Sequence, residues 1–348
     1  MCHSGALRSS EPEPMNTGLG QVCWGVSALL STSVFMGWGP DPRGRPGMTI
    51  DDGRTAIPLR SFLFAPGNHP RRVEKALTLD ADAVILDLED AVAIAEKPKT
   101  RETVVAAYGE PRTGVLYVRV NAVDTEFCHG DFNAIVHPGL DGIILPKVES
   151  AATIQTIDWL LGNLERERGL EVGKIDLIPI IETAKGLTQI EAILGAGTRV
   201  RHCAFGAGDF TLDVNMIWSR AESELSYARA RVVTASRAAG IEAPLDTVWV
   251  DLQDEEGLEA STRTALALGF QGKMCIHPNQ IAVVNRVFTP TNAEIDFAER
   301  VVSAFAEAEK AGSAAIQLDG KFIDYPIVYR AQRTLDAMTA IRARTAKS

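Results

Sequence analysis

The stretch VILDLED, residues 84–90, sets Asp87, Glu89 and Asp90 at the end of an apolar run. Carboxylates placed there need a cation or a basic group, because burying an unpaired charge is costly. Similar polar residues close other apolar runs: Arg119 in VRVN, Lys147 after GIILP, Glu182 after DLIPII and Asp209 after FGAG. If Glu182 and Asp209 come from adjacent strand ends, they point at one spot and suit Mg2+, which takes one or two protein carboxylates and fills its octahedron with water and substrate. The structural alternative pairs Glu182 with Lys147 or Lys185 and makes Asp209 a helix cap. Gly206 and Gly208 weigh against a simple cap, since backbone without side chains lets a ligand approach closely. The Arg119 guanidinium fits a carboxylate, an enolate or a thioester oxygen, or else neutralises the DLED acids. Arg60, with Arg71, Arg72 and Lys75 nearby in sequence, is a candidate for phosphate contacts.

These residues need elements to hold them. From Leu59 onward, apolar runs of strand length alternate with longer amphipathic segments. The strand-like runs are 61–66, 83–88, 115–120, 142–147, 176–181, 202–207, 247–252 and 272–277. Helices are expected over 70–79, 97–107, 129–137, 150–167, 185–195, 222–239, 254–268 and 278–287. That repeat over roughly 230 residues is the size of a (β/α)8 TIM barrel, whose catalytic groups sit at the carboxyl ends of the strands. The rival, a doubly wound open sheet, usually carries a Gly-rich phosphate turn after its first strand, and G-x-G-x-x-G does not occur there. Read in order, the strand ends carry Gly67, then Asp87 with Glu89 and Asp90, Arg119 with Asn121, Lys147, Glu182, Asp209, Asp251 and His277. The amino ends are bland. This asymmetry points to an enzyme.

Composition narrows the class further. The formal net charge is −10, with no basic stripe, so nucleic acid is not an expected partner. Five scattered cysteines without C-x-x-C spacing argue against a disulfide framework or a zinc site and fit a reducing, cytoplasmic compartment. Residues 1–57 read as a disordered or leader segment, with Met48 as an alternative start. Within it CWGVSALLSTSVFMGW, residues 23–38, is short of the ~20 residues of a membrane span, so no membrane association is expected. The barrel is assigned to 58–290, and C-terminal helices with a lid to 291–348.

The ordered series RSFLFAPGN, DAVILDLEDAV, KPKTR, VRVN, ILPKVES, PIIETAKGL, FGAGDFTLD, YARARVVTASRAAG, APLDTVW and LGFQGKMCIHPNQI resembles the CitE-like acyl-CoA lyases of the HpcH/HpaI aldolase family. That group includes citrate lyase β subunits, malyl-CoA lyases and citramalyl-CoA lyases, and the likeness runs from about Arg60 to Arg333. It implies a barrel that assembles as a homotrimer or hexamer. It also implies Mg2+, with Mn2+ as an alternative, on Glu182 and Asp209. Arg119 and Arg60 are then substrate-binding, Arg119 also being catalytic. GKFIDYP matches a mobile segment that in many relatives covers a neighbouring subunit's active site, which makes Asp324 the catalytic acid–base group. Glu89 and Asp90 become supporting residues, hydrogen-bonded to metal-bound water or to Arg60 and Arg119, with Lys97 closing that network. The implied reaction is cleavage or formation of a β-hydroxyacyl-CoA, such as malyl- or citramalyl-CoA, to an acyl-CoA plus an α-oxo acid. A malyl-CoA-type thioesterase and a citrate lyase β subunit working inside a larger complex are the alternatives.

Overall fold

A computed structural model describes residues 59–345 apart from residue 198, so the expected leader over 1–57 lies outside the described residues. Eight parallel strands close into a barrel in sequence order: β1 Ser61–Pro66, β2 Ala83–Asp87, β3 Val115–Arg119, β4 Gly142–Leu145, β5 Asp176–Ile181, β6 Ala204–Phe205, β7 Leu245–Asp246 and β8 Gly272–Cys275. Helices α1 Pro70–Leu77, α2 Lys97–Ala106, α3 Cys128–Ile135, α4 Ala151–Glu167, α5 Ala184–Thr188, α6 Ile190–Leu194, α7 Ala207–Asp213, α8 Ser226–Ala239, α9 Glu255–Leu268 and α10 Asn279–Phe288 surround it. The expected (β/α)8 TIM barrel is the observed fold.

Period-two alternation sorts the strand residues into two layers. Phe62, Ile85, Tyr117, Ile144, Ile178 and Met274 fill the barrel interior. Their neighbours Leu63, Val84, Leu116, Ile143, Leu177 and Cys275 face the helices. Continuing the inward series by two residues places Asp87 after Ile85, Arg119 after Tyr117 and Glu182 after Ile180, all at the carboxyl ends. Three of the helices that begin on that face carry side-chain caps: Ser150 accepts from the Thr153 amide, Thr183 from Gly186 and Asp254 from Gly257.

Three elements differ from the sequence expectation. The seventh strand lies at Leu245–Asp246, not at 247–252. The run TVWVDL has strand-like residues, but Gln280 Nε2 donates to the Trp249 carbonyl at 2.8 Å, and Val250 and Leu252 are exposed. The segment 185–195 is two short helices, α5 and α6, rather than one. An unexpected helix, α7, follows β6, so Asp209 sits in the first turn of a helix and not on a strand end.

Beyond the barrel, α11 Asn292–Lys310 leads to a hairpin of β9 Ile316–Leu318 and β10 Lys321–Ile323, then to α12 Tyr325–Thr345. These elements share a small core of Ala298, Val301, Phe305, Ile323 and Ala331. Near the end of α12, Arg344 returns to the amino end of β2, where Nη2 donates to the Ala81 carbonyl at 2.6 Å and Nη1 pairs with Asp82. No helix among the described residues is long and apolar enough to cross a membrane.

β7 has only two ladder residues, and a buried ionic cluster on its outer side ties it to the helix layer. Asp246 accepts from Arg229 Nε at 2.8 Å and from Lys273 Nζ at 2.6 Å, while Arg229 Nη2 also reaches Glu222 at 2.8 Å. Removing one acid leaves two buried cations facing one carboxylate. Asp246→Asn should therefore destabilise the fold by about 3–5 kcal/mol, read as a lower urea midpoint at unchanged slope.

Candidate active site

The carboxyl rim is organised around Arg119. Its Nε and Nη2 fork onto Asp87 at 2.8 and 2.6 Å, its Nη1 lies 3.3 Å from Asp90, and its guanidinium stacks 4.8 Å from the centre of the Phe64 ring. Nη1 also lies 2.9 Å from Glu89 Oε2, an ion pair without hydrogen-bond alignment. Asp87 further accepts from the Glu89 and Ala91 amides. Burial alone would raise the Asp87 pKa, but the Arg119 charge and these hydrogen bonds hold it below the ordinary value. The reciprocal attraction outweighs the burial of Arg119 and raises its own pKa. Both groups stay charged, and the planar fork fixes the direction of the guanidinium.

Beneath this pair, Lys97 shapes the chain. Its buried Nζ donates to the Leu88 carbonyl at 3.0 Å, the Glu89 carbonyl at 2.6 Å and Asn121 Oδ1 at 2.6 Å. Asn121 in turn donates to Asp131 at 2.7 Å. Lys97 thus fixes the backbone of the DLED turn and does not pair with its side-chain carboxylates.

The other half of the rim comes from β4, β5 and α7. Glu182 Oε1 accepts from the Lys147 amide at 2.7 Å, a contact made while Lys147 adopts a left-handed backbone, φ 51°. The Lys147 ammonium lies 2.6 Å from Glu89 Oε1, 3.5 Å from Asp209 Oδ2 and 4.0 Å from Asp90 Oδ1. On the far side of Glu182, a Cβ on Gly206 would fall 2.5 Å from Oε2, so glycine is the residue that leaves this carboxylate room. Two further contacts fix α7, one to the chain after β7 and one to the chain after β5. Thr247 Oγ1 accepts from the Ala207 amide at 2.8 Å, and Asp213 accepts from the Ala184 amide at 2.7 Å.

Burial, then the negative charges of Glu89 and Asp209, push the Glu182 carboxyl up to about 8. Burial also raises Glu89, with Asp90 adding to the effect and Arg119 and Lys147 opposing it. The Glu182–Asp209 half is therefore short of positive charge. Its donors are carboxylate oxygens, and no group of three or more His, Cys, Asp or Glu among the described residues is placed to hold a metal ion. A hard ion that keeps several waters fits such a pair, and a closed zinc site does not.

Some expected residues do not meet at the rim. Arg60 lies at the opposite, amino end of the barrel. It forks onto buried Asp82 at 2.8 and 2.9 Å and reaches Thr289 at 2.8 Å, so the expected contact with Glu89 and Asp90 is not made. Its position just before β1 dictates this, since a strand of five or six residues separates the two ends by roughly 17–20 Å. Asp251, expected at a strand end, instead accepts from the Gln253 amide within its own loop. Asp324 precedes α12, where its carbonyl accepts from the Ile327 and Val328 amides at 3.0 Å and its side chain from Ile327 at 3.4 Å. These contacts are local and join Asp324 to α12 rather than to the rim. Two residues carry more than the sequence suggested. Asp87 holds Arg119, which its place in the inward series could have shown. Lys147 touches both halves of the site, and no sequence pattern marks its left-handed backbone.

A closed parallel barrel with charged residues gathered at the carboxyl ends of its strands is the architecture of a barrel enzyme. The chain belongs to the HpcH/HpaI aldolase/citrate lyase family, whose model matches residues 60–278, and it is a lyase. It is 41% identical over 286 residues to the citrate lyase subunit beta of Leuconostoc mesenteroides subsp. cremoris, covering 81% of this chain and 93% of that one. It is 33% identical over 310 residues to the mitochondrial citramalyl-CoA lyase of Rattus norvegicus, covering 86% and 91%. Among solved structures, CitE from Mycobacterium tuberculosis in complex with magnesium, acetoacetate and coenzyme A is 29% identical with a TM-score of 0.65, covering 80% of this chain and 98% of that one.

The raised Glu182 pKa has a thermodynamic consequence. With the folded value near 8 and the ordinary value 4.5, the folded state holds more proton than the unfolded state between them. Stability in chelator should fall as pH rises from about 4.5 to about 8, by roughly 3–5 kcal/mol in all. Glu182→Gln should flatten that part of a melting-temperature profile. An unchanged slope would assign the titration to another group.

Proposed function

We propose that this protein is a Mg2+-dependent carbon–carbon lyase acting on a β-hydroxyacyl thioester of coenzyme A, releasing an α-oxo acid and an acyl-CoA or joining them in reverse. The observation that carries this reading is the rim itself. Glu182 and Asp209 both contact Lys147, and Arg119 is held beside them by Asp87. The magnesium and coenzyme A bound in the Mycobacterium tuberculosis structure support the same cofactor and substrate class here, with Mn2+ as an alternative ion.

When bound between Glu182 and Asp209, the ion supplies Lewis-acid activation of the oxo-acid oxygens. Glu182 must be ionised to hold it, so binding releases a proton wherever the carboxyl would otherwise be neutral. Arg119 directs the N–H groups not taken by Asp87, Glu89 and Asp90 toward the thioester oxygen, where negative charge develops as the carbon–carbon bond breaks. A donor already aimed at that point needs no reorganisation. Glu89 and Asp90 keep Arg119 and Lys147 in place, and Lys97 holds the turn that carries them. Asp324 protonates the enolate carbon, or removes that proton in the condensing direction. Because the hydrogen bonds of Asp324 among the described residues stay within its own C-terminal segment, we assign it to the site of a neighbouring subunit in a homotrimer or hexamer. Closure of that segment would exclude water from the enolate. The extent assigned to the catalytic barrel is 58–290 and to the lid segment 291–348, and the cytoplasm is its proposed location.

The 41% identity to a citrate lyase subunit beta favours a second reading, in which the chain works within a larger complex. Turnover of malyl-, methylmalyl-, citramalyl- or citryl-CoA by the purified chain, with release of glyoxylate, pyruvate or oxaloacetate, supports the stand-alone lyase. Inactivity on all four supports the complex. Recovery of an intact hydroxy acid would indicate thioester hydrolysis instead.

Chelation should abolish activity and Mg2+ restore it. Asp324→Asn should cost about 10²–10⁴-fold in rate while Mg2+ still binds, whereas Glu182→Gln should lose the ion. In oligomers shown to exchange subunits, mixing the two variants should recover activity. No recovery would place Asp324 and Glu182 of one site in the same chain.

A further inference from the structure

We propose that Lys147 is a positioning residue with two separable tasks: its amide fixes Glu182, and its ammonium makes tight binding of the divalent ion depend on the anionic oxo acid. This rests on the metal reading of Glu182 and Asp209 above.

The left-handed backbone at φ 51° accompanies an amide aimed at Glu182 Oε1, 2.7 Å away. The same residue turns its ammonium to Glu89 at 2.6 Å and Asp209 at 3.5 Å. A lysine is rare in this conformation, and glycine or asparagine would adopt it more readily. The ammonium is what a lysine adds there. It gives Glu89 a partner and so draws that acid away from Glu182. It also sits against the Asp209 oxygen that a divalent ion would use. Two cations sharing Asp209 repel each other, so the ion alone binds less tightly than the carboxylates would otherwise allow. An oxo-acid carboxylate entering beside them is attracted by both and relieves that repulsion. The lysine side chain is 36% exposed, which leaves it accessible from the open rim.

Two other dense charge clusters among the described residues offer no such opening. Asp246, Arg229 and Lys273 are sealed in the helix layer, and Asp82 is buried against Arg60 and Arg344.

The test uses the full chain and calorimetry rather than turnover. Mg2+ is titrated alone, then pyruvate is titrated at saturating Mg2+, into wild type, Lys147→Gly, Lys147→Asn and Lys147→Arg. Glycine and asparagine keep the left-handed backbone and remove the charge, while arginine keeps the charge. Mg2+ should bind about tenfold more tightly, and pyruvate about tenfold more weakly, to the glycine and asparagine variants than to wild type. The arginine variant should resemble wild type. Unchanged or weaker Mg2+ binding in both neutral variants overturns the proposal and leaves the metal pair standing. A wild-type chain that binds no Mg2+ overturns the metal reading and the proposal with it. Loss of folding in both neutral variants, with the arginine variant folded, also overturns it, because the ammonium is then structural.

Discussion

Charge balance at the barrel rim is the constraint on which the site depends. Several buried acids elsewhere among the described residues meet matching cations. Asp82 has Arg60 and Arg344, Glu165 has Arg199, and Asp246 with Glu222 has Arg229 and Lys273. At the rim, among the described residues, Asp87, Glu89, Asp90 and Asp209 pair with Arg119 and Lys147, while Glu182 takes the Lys147 amide. The deficit is not evenly spread. Arg119 satisfies Asp87 so well that this acid titrates below its ordinary value, while Glu182, with one amide donor and no cation of its own, is raised. A structural network would have been closed by another lysine or arginine. On the proposed reading, that uncompensated corner is where a cation from solution would bind.

The barrel makes that unevenness possible. Inward parity along β2, β3 and β5 brings Asp87, Arg119 and Glu182 to one level from separate strands, and the surrounding core keeps them there. Gly206 then withholds a side chain beside Glu182, and Asp213 and Thr247 pin α7 so that Asp209 comes from the adjacent element. None of these last residues would meet the substrate, yet each fixes an oxygen or nitrogen that would. Precision at such a site comes from packing and hydrogen bonds one layer out.

Much of this was legible in the sequence because the governing pattern is local. Eight apolar runs alternating with amphipathic segments specify the barrel, and the polar residues that end those runs specify its functional face. What was not legible depends on contacts between distant parts. The run TVWVDL reads as a strand by composition, but the ladder ends at Asp246, where the Arg229 and Lys273 pairing lies, and Trp249 bonds to Gln280 instead. Asp209 reads as a strand-end residue beside glycines that give a ligand room, yet the chain turns into α7 there. Arg60 belongs to a motif that resembles the family's, but its place ahead of β1 binds it to Asp82 at the other end of the barrel. Charge type was readable from the sequence; which end of a strand presented it required the first residue of that strand.

The same reasoning bears on the C-terminal segment. Arg344 anchors the far end of α12 at the barrel's amino face, while Asp324 stands at its near end beside the β9–β10 hairpin. A helix of 21 residues spans about 30 Å at 1.5 Å per residue. One end is thus fixed to its own barrel, while the near end packs with α11 on the core of Phe305, Ile323 and Ala331, with the exposed rings of Phe322 in β10 and Tyr329 in α12 close to Asp324 in the chain. An acid needed at an enolate would have to be dry when used, and Asp324 here shares its surroundings with exposed aromatic surface. Burying that surface against a second barrel would remove the rings from water and exclude water from Asp324 in the same step. In the proposed assembly, subunit contact and acid–base chemistry would then depend on the same surface.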